Sequence, residues 1–338
     1  MRTYDPDLKP WSFQIELVEG CNRRCSFCGI HAIRKPGDNH LLFMDLSLLE
    51  SICKQINLWR PRARVELDLN GEPSLHPQFF EALAMIRRCA PGISIQVSTN
   101  MHKAFEDKPC EWLHLCFEAG ANMVVANCYE SRFFDQLTLA HRLGKLQHQV
   151  GPEVDVVDFY HDNPKHVSMY HNHGPKARIL FLLDSLETVH LKTSIPASKL
   201  LNNQGGSTPT ENLNELVGTP RPQLPLHKPC TRVYREMVIA WNGLVPICCY
   251  DWTNALVFGD ARQTPIQKLW HSQLWHEVRG LLSRTYTDRN FSPCQGCDYP
   301  GGFRVGLLPQ VEPSSNALQY VREHQHVHKT FRIGKVKT

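Results

Sequence analysis

Residues 12–29 read SFQIELVEGCNRRCSFCG, and this stretch decides the fold. SFQIELVE (12–19) alternates apolar and polar positions and is rich in β-formers, so it predicts a strand. Three cysteines follow at once, as Cys21-x-x-x-Cys25-x-x-Cys28. A first strand emptying into a thiol-rich loop fixes which end of any sheet would carry the chemistry.

Outward from that loop, strand and helix patterns alternate. Asp45 is a helix N-cap residue for 46–59, and the helix ends before Pro61. RVELDL (64–69) predicts a second strand, ending in Asn70-Gly71-Glu72-Pro73. FFEALAMIRRCA (79–90) predicts a helix and ISIQVSTN (93–100) a third strand. A helix around 110–118, a strand at NMVVANC (122–128), a helix around 131–146 and a fifth strand at VDVVDFY (154–160) complete the series. Such alternation implies parallel βαβ units. The expected fold is α/β, a partial (β/α)6 TIM-like barrel with a small cysteine-rich domain after it. The chemistry of such barrels sits at the C-terminal strand ends. The cysteine loop, the NGEP turn, Ser98-Thr99-Asn100 and Asn127 all fall there.

Four segments are expected: a core barrel over 1–201, a linker or crossing segment over 202–229, a cysteine-bearing unit over 230–310 and a basic tail over 311–338. No apolar run approaches the ~18 residues of a membrane span, and residues 1–13 lack the apolar centre of a secretory signal. A cytoplasmic setting without a membrane partner is therefore expected. There the 13 cysteines suggest metal, catalysis or small buried hydrophobes rather than disulfides. The net charge of +4 is weak support for an anionic partner.

Three thiolates in one loop can hold a 4Fe–4S cluster with one iron left open, and an open position can bind a cofactor or substrate. The competing reading is zinc, completed by a fourth ligand such as His31. A second set, Cys230, Cys248, Cys294 and Cys297, has the count for tetrahedral zinc or for a fully ligated 4Fe–4S cluster. MVIAWNGLVPICCYDW (237–252) reads as a β-hairpin turning at Asn242-Gly243, with Cys249 pointing away from the face of Cys248. TPIQKLWHSQLWHEVRGLL (264–282) reads as the helix before the final CxxC pair.

The loop Cys21-Asn22-Arg23-Arg24-Cys25-Ser26-Phe27-Cys28 resembles the signature of the radical S-adenosylmethionine (SAM) superfamily, down to the aromatic residue before the last cysteine. The resemblance implies a SAM-binding 4Fe–4S cluster on Cys21, Cys25 and Cys28. It also implies reductive cleavage of SAM to a 5′-deoxyadenosyl radical, which abstracts hydrogen from a substrate. Asn70-Gly71-Glu72-Pro73 resembles the family's GGEP turn, which contacts the SAM amino group; Asn replaces the first Gly and tolerates left-handed geometry. Ser98, Thr99 and Asn100 resemble the third-strand turn near the SAM ribose, and Asn127 stands where a polar ribose contact is common. The second cysteine set resembles the twitch domain, the shortened relative of the SPASM domain. That likeness implies one auxiliary 4Fe–4S cluster on Cys230, Cys248, Cys294 and Cys297.

The implied partners are an electron donor such as flavodoxin or ferredoxin and a polar substrate: a small molecule, a nucleotide or nucleic acid, or a peptide. The reaction would be an oxidation, isomerisation or rearrangement. The first cysteine stands only 20 residues from the start, which lowers the expectation of a peptide-maturing role. Mild basicity slightly favours nucleotide or nucleic-acid modification. Asp158 and Cys128 are further candidates for a catalytic role, and the four histidines of 161–174 for a polar substrate-facing loop. The contrasting class is a non-enzymatic zinc protein that binds nucleic acid; the strand–helix alternation argues against it.

Overall fold

The computed structural model describes residues 8–158, 173–184, 204–208, 222–301, 309 and 311–325. The histidine-rich segment up to 172, most of the 202–229 stretch and the basic positions Lys329, Arg332, Lys335 and Lys337 lie outside the described residues.

Eleven strands and eleven α-helices are described, in the order β1 (Ser12–Ile15), β2 (Val18–Glu19), α1 (Ile30–Ile33), β3 (Leu42–Phe43), α2 (Leu46–Trp59), β4 (Arg64–Leu67), α3 (Phe79–Cys89), β5 (Ser94–Thr99), α4 (His102–Glu106), α5 (Pro109–Glu118), β6 (Met123–Cys128), α6 (Ser131–Arg142), α7 (Lys145–Val150), β7 (Asp155–Asp158) and β8 (Ile179–Asp184). The C-terminal unit adds α8 (Arg232–Arg235), β9 (Glu236–Ile239), β10 (Leu244–Pro246), β11 (Val257–Asp260), α9 (Ile266–Trp270), α10 (Gln273–Leu281) and α11 (Ala317–Glu323). No described helix is long and apolar enough to cross a membrane.

Seven strands form one parallel sheet in the order β7-β8-β6-β5-β4-β1-β9. The expected α/β partial barrel is thus present, with two departures. β7 occupies the edge outside β8, so the fifth strand does not follow the fourth in space. The expected hairpin over 237–252 is corrected: β9 pairs in parallel with β1, whereas β10 pairs antiparallel with β11. The Asn242-Gly243 turn is local, but Met237, Val238 and Ile239 are at most 1% exposed. A strand so buried belongs to a parallel sheet covered on both faces, here at its edge beside β1, rather than to half of an open hairpin. Two expected helices are also each broken in two. Gly144, at φ +68°, separates α6 from α7, and the second expected helix stops at Trp270 with His271 as its C-cap, after which Ser272 caps the next by accepting the Trp275 N–H at 3.3 Å.

Side-chain alternation divides the sheet into two faces. Phe13, Ile15, Val65, Leu67, Ile95 and Val97 pack outward with the buried residues of α2 and α3. Each such burial contributes about 1.5–3 kcal/mol. The inward face is polar on β1, β4 and β5, where Gln14, Glu66 and Gln96 stand in register, and turns apolar on β6, β8 and β7 with Met123, Val125, Ile179, Phe181 and Val157. The predicted N-cap of α2 is observed, Asp45 accepting the Ser47 N–H at 2.7 Å. The C-terminal unit joins the barrel through β9 itself, and Trp270 adds a second tie: its ring meets Trp59 edge-on at 6.3 Å and its Nε1 donates to the Leu8 carbonyl at 2.8 Å.

Candidate active site

Gly20 ends β2 and joins the cysteine loop to the NGEP turn. Its N–H donates to the Asn70 carbonyl, and its carbonyl accepts the Glu72 N–H at 3.0 Å. The approach is so close that a Cβ on Gly71 would lie 2.0 Å from the Val18 carbonyl oxygen. Only glycine fits there. Left-handed geometry falls not on Asn70, where tolerance was expected, but on Leu69, at φ +110°. That conformation costs a non-glycine residue on the order of 1–3 kcal/mol, and such strain concentrates at functional sites.

Glu72 organises the turn and is itself buried. Its Oε1 accepts the Ser74 hydroxyl at 2.6 Å and the Thr99 hydroxyl at 2.7 Å, and its Oε2 accepts the Asn100 N–H at 2.6 Å. Burial raises its pKa and these bonds pull it back. Asn100 in turn donates from Nδ2 to Asn22 Oδ1 at 2.8 Å and to Cys21 Sγ at 3.3 Å. The NGEP turn, the end of β5 and the cysteine loop are therefore one hydrogen-bonded unit.

The loop holds its shape through its backbone. The Arg34 guanidinium donates to the Cys21 carbonyl at 2.7 Å, Cys28 N–H to the Cys25 carbonyl at 3.1 Å, and Arg23 pairs with Glu130, just past β6, at 3.2 Å. His31, the alternative zinc ligand, has Nε2 bonded to the Cys25 carbonyl at 2.9 Å. Burial pushes Cys21 and Cys28 up to about 12, and each feels the charge of its neighbouring thiols. A metal cluster would have to supply the positive charge that turns them into thiolates.

A cavity of about 230 Å³ opens among Cys21, Cys25, Cys28, Asn70, Gly71, Glu72, Ser98, Thr99, Asn100 and Asn127. Pro73 begins a short 3₁₀ turn and does not line it. Neither does Cys128, which is buried and bonds the Ala126 carbonyl, nor Asp158, which is 1% exposed near Arg142. Sequence reasoning missed Asp68, Leu69, Tyr129 and Trp252, which also line it beside Arg23, Phe27 and Ile30. Tyr129 could have been suspected from its place just after the β6 end. Trp252 carried no local signal. The donor set fits a three-thiolate cluster with SAM beside it. Three thiols share one loop, a glycine admits close approach, and Asn70 Oδ1 is buried with no partner among the described residues.

In the C-terminal unit, Cys294 and Cys297 lie on one 3₁₀ turn, Cys248 in the turn after β10, and the Cys230 N–H donates to the Leu282 carbonyl at 3.0 Å. Burial first, then neighbouring thiols, pushes these groups up: Cys294 feels Cys297 and Cys230, and Cys248 feels Cys249, Cys294 and Cys297. Arg289, held by the carbonyls of Lys228, Pro229 and Tyr299, offsets part of that charge. Cys249 faces elsewhere, its sulfur accepting from Arg232 at 3.1 Å. Four thiols within electrostatic reach of one another have the count and the chemistry for an auxiliary cluster. Among the described residues no three His, Cys, Asp or Glu side chains crowd one ion. A cubane, whose irons hold the thiolates apart, does not require that closeness.

A model of the radical SAM superfamily matches residues 15–125, and one described as an iron–sulfur cluster-binding domain, SPASM, matches 230–298. Over 135 residues the chain is 24% identical to the tRNA-2-methylthio-N(6)-dimethylallyladenosine synthase of Buchnera aphidicola subsp. Schizaphis graminum, covering 36% of this chain. It spans 30% of that relative's length. The crystal structure of BtrN in complex with AdoMet and 2-DOIA aligns with a TM-score of 0.57 at 18% identity, over 86% of this chain and 94% of BtrN. BtrN in an open conformation aligns at 0.52 and 16% identity, over 86% and 93% of the two chains. At such identities the likeness to BtrN concerns the fold.

Proposed function

The chain belongs to the radical SAM superfamily, with SAM and iron–sulfur clusters as its cofactors, and we propose that it abstracts a hydrogen atom from a small polar substrate held inside the barrel. Cys21, Cys25 and Cys28 would hold the SAM-binding cluster, and Cys230, Cys248, Cys294 and Cys297 the auxiliary one. When bound, the reduced SAM cluster supplies a 5′-deoxyadenosyl radical for hydrogen abstraction and the auxiliary cluster supplies a second one-electron carrier. A low-potential protein such as flavodoxin or ferredoxin is the proposed electron source.

The chain's own residues bind, orient and exclude water. Asn70 Oδ1, buried without a partner among the described residues, suits the ammonium group of SAM. Glu72 fixes Thr99 and Asn100 along the same wall. Leu69 and Trp252 wall off the cysteine cavity. Both also line a second cavity of about 400 Å³ in the barrel interior. That common wall is the observation that carries the reading, because it sets a substrate-sized space directly beside the radical source. Asp68 lines both cavities, and burial together with the charge of Glu66 raises it to about 8. A carboxyl so tuned is mostly protonated at neutral pH and exchanges its proton in that range, so it can pass protons to or from a bound substrate.

A second reading, nucleotide-base modification, draws support from the likeness to the Buchnera synthase. Anaerobic incubation with SAM, dithionite and deuterated candidates, small molecules in one arm and RNA in the other, tests both. Deuterium in 5′-deoxyadenosine from the first arm alone supports the primary reading, and from the RNA arm alone the second. A colourless chain with stoichiometric zinc that forms no 5′-deoxyadenosine would overturn both.

A further inference from the structure

The interior cavity has a built polar floor. Gln14, Glu66 and Gln96 are in register on β1, β4 and β5, so their side chains form one row across three adjacent strands. Two positions on, toward the cysteine cavity, Asp68 and Ser98 begin the next layer. The roof comes from the C-terminal unit: Arg232, Glu236, Tyr250, Trp252 and Tyr299.

The positive charges of this chamber are engaged within it. Arg64 pairs with Glu66 at 3.0 Å. Arg232 pairs with Glu236 at 2.5 Å, donates to the Tyr250 hydroxyl at 2.8 Å and lies over the rings of Tyr250 and Tyr299. Arg235 lies over Trp11. The acceptors are not so engaged. Gln14 gives its amide N–H to Glu66 at 3.3 Å, leaving Oε1 unpartnered among the described residues although the residue is only 7% exposed. Gln96, 4% exposed, donates to Ser98 and likewise leaves its Oε1 unpartnered. Asp68 Oδ1 is the third such acceptor, on a carboxyl with no ion pair among the described residues. Against these three acceptors stand, among the described residues, two donors without a hydrogen bond of good geometry, Arg232 Nε and Arg64 Nε, the latter already held in the ion pair with Glu66. Leaving a buried polar group unmade costs about 1–3 kcal/mol, so the chamber favours a ligand that brings donors.

Resting on the proposed function, we infer that the substrate is a compact molecule carrying a protonated amine, its N–H donors received by Asp68, Gln14 and Gln96. The aromatic rings of Trp11, Tyr250, Trp252 and Tyr299 bound the remaining space and suit a ring-sized carbon frame. A cation against Asp68 favours its ionised form, which the burial and the Glu66 charge otherwise oppose.

The test uses the full chain with both clusters reconstituted anaerobically, SAM present and reductant withheld. Cyclohexylamine is titrated calorimetrically, with cyclohexanol as its neutral match. The amine is expected to bind at least about tenfold more tightly than the alcohol, the weight of one charge-assisted contact. Asp68→Asn should erase that preference, and Gln14→Leu should weaken the amine alone. Equal binding of the two probes, no binding of the amine, or a preference that survives Asp68→Asn would each overturn the inference. If Asp68→Asn loses its clusters, Gln14→Leu decides: an unchanged preference in that variant overturns it as well. Dithionite is then added to the same wild-type preparation. A failure of the radical reading shows as no 5′-deoxyadenosine, whereas a failure of the amine assignment shows as lost selectivity in a chain that still forms it.

Discussion

Glu72 accepts the backbone N–H of Asn100 at 2.6 Å, and through that bond the turn after β4 is locked to the end of β5. The same carboxylate takes the hydroxyls of Ser74 and Thr99. Both of its oxygens thus face donors. A glutamine here must turn its NH₂ toward one of them, so Glu72→Gln does not preserve the network. Glu72→Gln and Glu72→Ala are both expected to destabilise the fold by about 2–4 kcal/mol, the cost of several buried groups losing partners, and to lower SAM affinity at least about tenfold. Denaturant midpoints and equilibrium dialysis with labelled SAM measure the two effects. Wild-type SAM affinity in Glu72→Gln would count against the assignment of this wall.

The two cysteine sets should come apart cleanly. The reconstituted chain is expected to hold about eight irons, four for each cluster. Replacing Cys21, Cys25 and Cys28 with Ala should remove about half of them and abolish 5′-deoxyadenosine formation. Replacing Cys294 and Cys297 should remove the other half. Cys249→Ala, whose sulfur faces Arg232, should keep the full iron content. Iron and sulfide analysis checks all three, and iron loss from Cys249→Ala would reassign the auxiliary ligands.

Much of the site was legible because strand ends announce themselves. Polar turns closed β4 and β5, the first of them bearing Gly71, and parallel pairing brings such turns together at one end of a sheet. The cysteine loop, the NGEP turn and Ser98-Thr99-Asn100 converge for that reason. What depends on distant partners was not legible. EMVI and LVP flank a short connection that turns at Asn242-Gly243 and look like a hairpin, yet β9 pairs with β1 and is buried beside it. Nothing near Trp252 or Leu69 in the chain says that they stand between two cavities. The polar row of Gln14, Glu66 and Gln96 reads in the sequence as three solvent-facing positions of ordinary strands; only closure of the sheet turns them into a chamber floor.

Gly71 tests the contact between the cysteine loop and the NGEP turn directly. A Cβ there would sit 2.0 Å from the Val18 carbonyl oxygen and 2.5 Å from that of Gly20. Both obstacles are backbone, so relief requires the two segments to separate. Gly71→Ala is expected to cost several kcal/mol, on the order of other overpacking and strain mutations, and to weaken cluster retention more than Asn70→Ala does. Thermal melts and iron content after desalting give the comparison. Normal iron content and stability in Gly71→Ala would show that the close approach is not required.

Asp68 gives stability a pH dependence with a definite sign. Burial, then the charge of Glu66, raises its pKa to about 8; Glu236 acts in the same direction, while Arg64 and Arg232 oppose it and Cys249 lies near enough to feel its charge. Its unfolded value is near 3.9. Between those values the native chain holds a proton that the unfolded chain has released, so this group makes stability fall as pH rises from about 4 to about 8 and leaves it level above. Asp68→Asn removes the ionisation. The variant should therefore gain on wild type as pH rises, by about 4 kcal/mol at pH 9 relative to pH 5. Guanidinium titrations of both chains at the two pH values read the difference. A gap that stays constant, or one that widens toward low pH, would mean that Asp68 is not held in its neutral form by the fold.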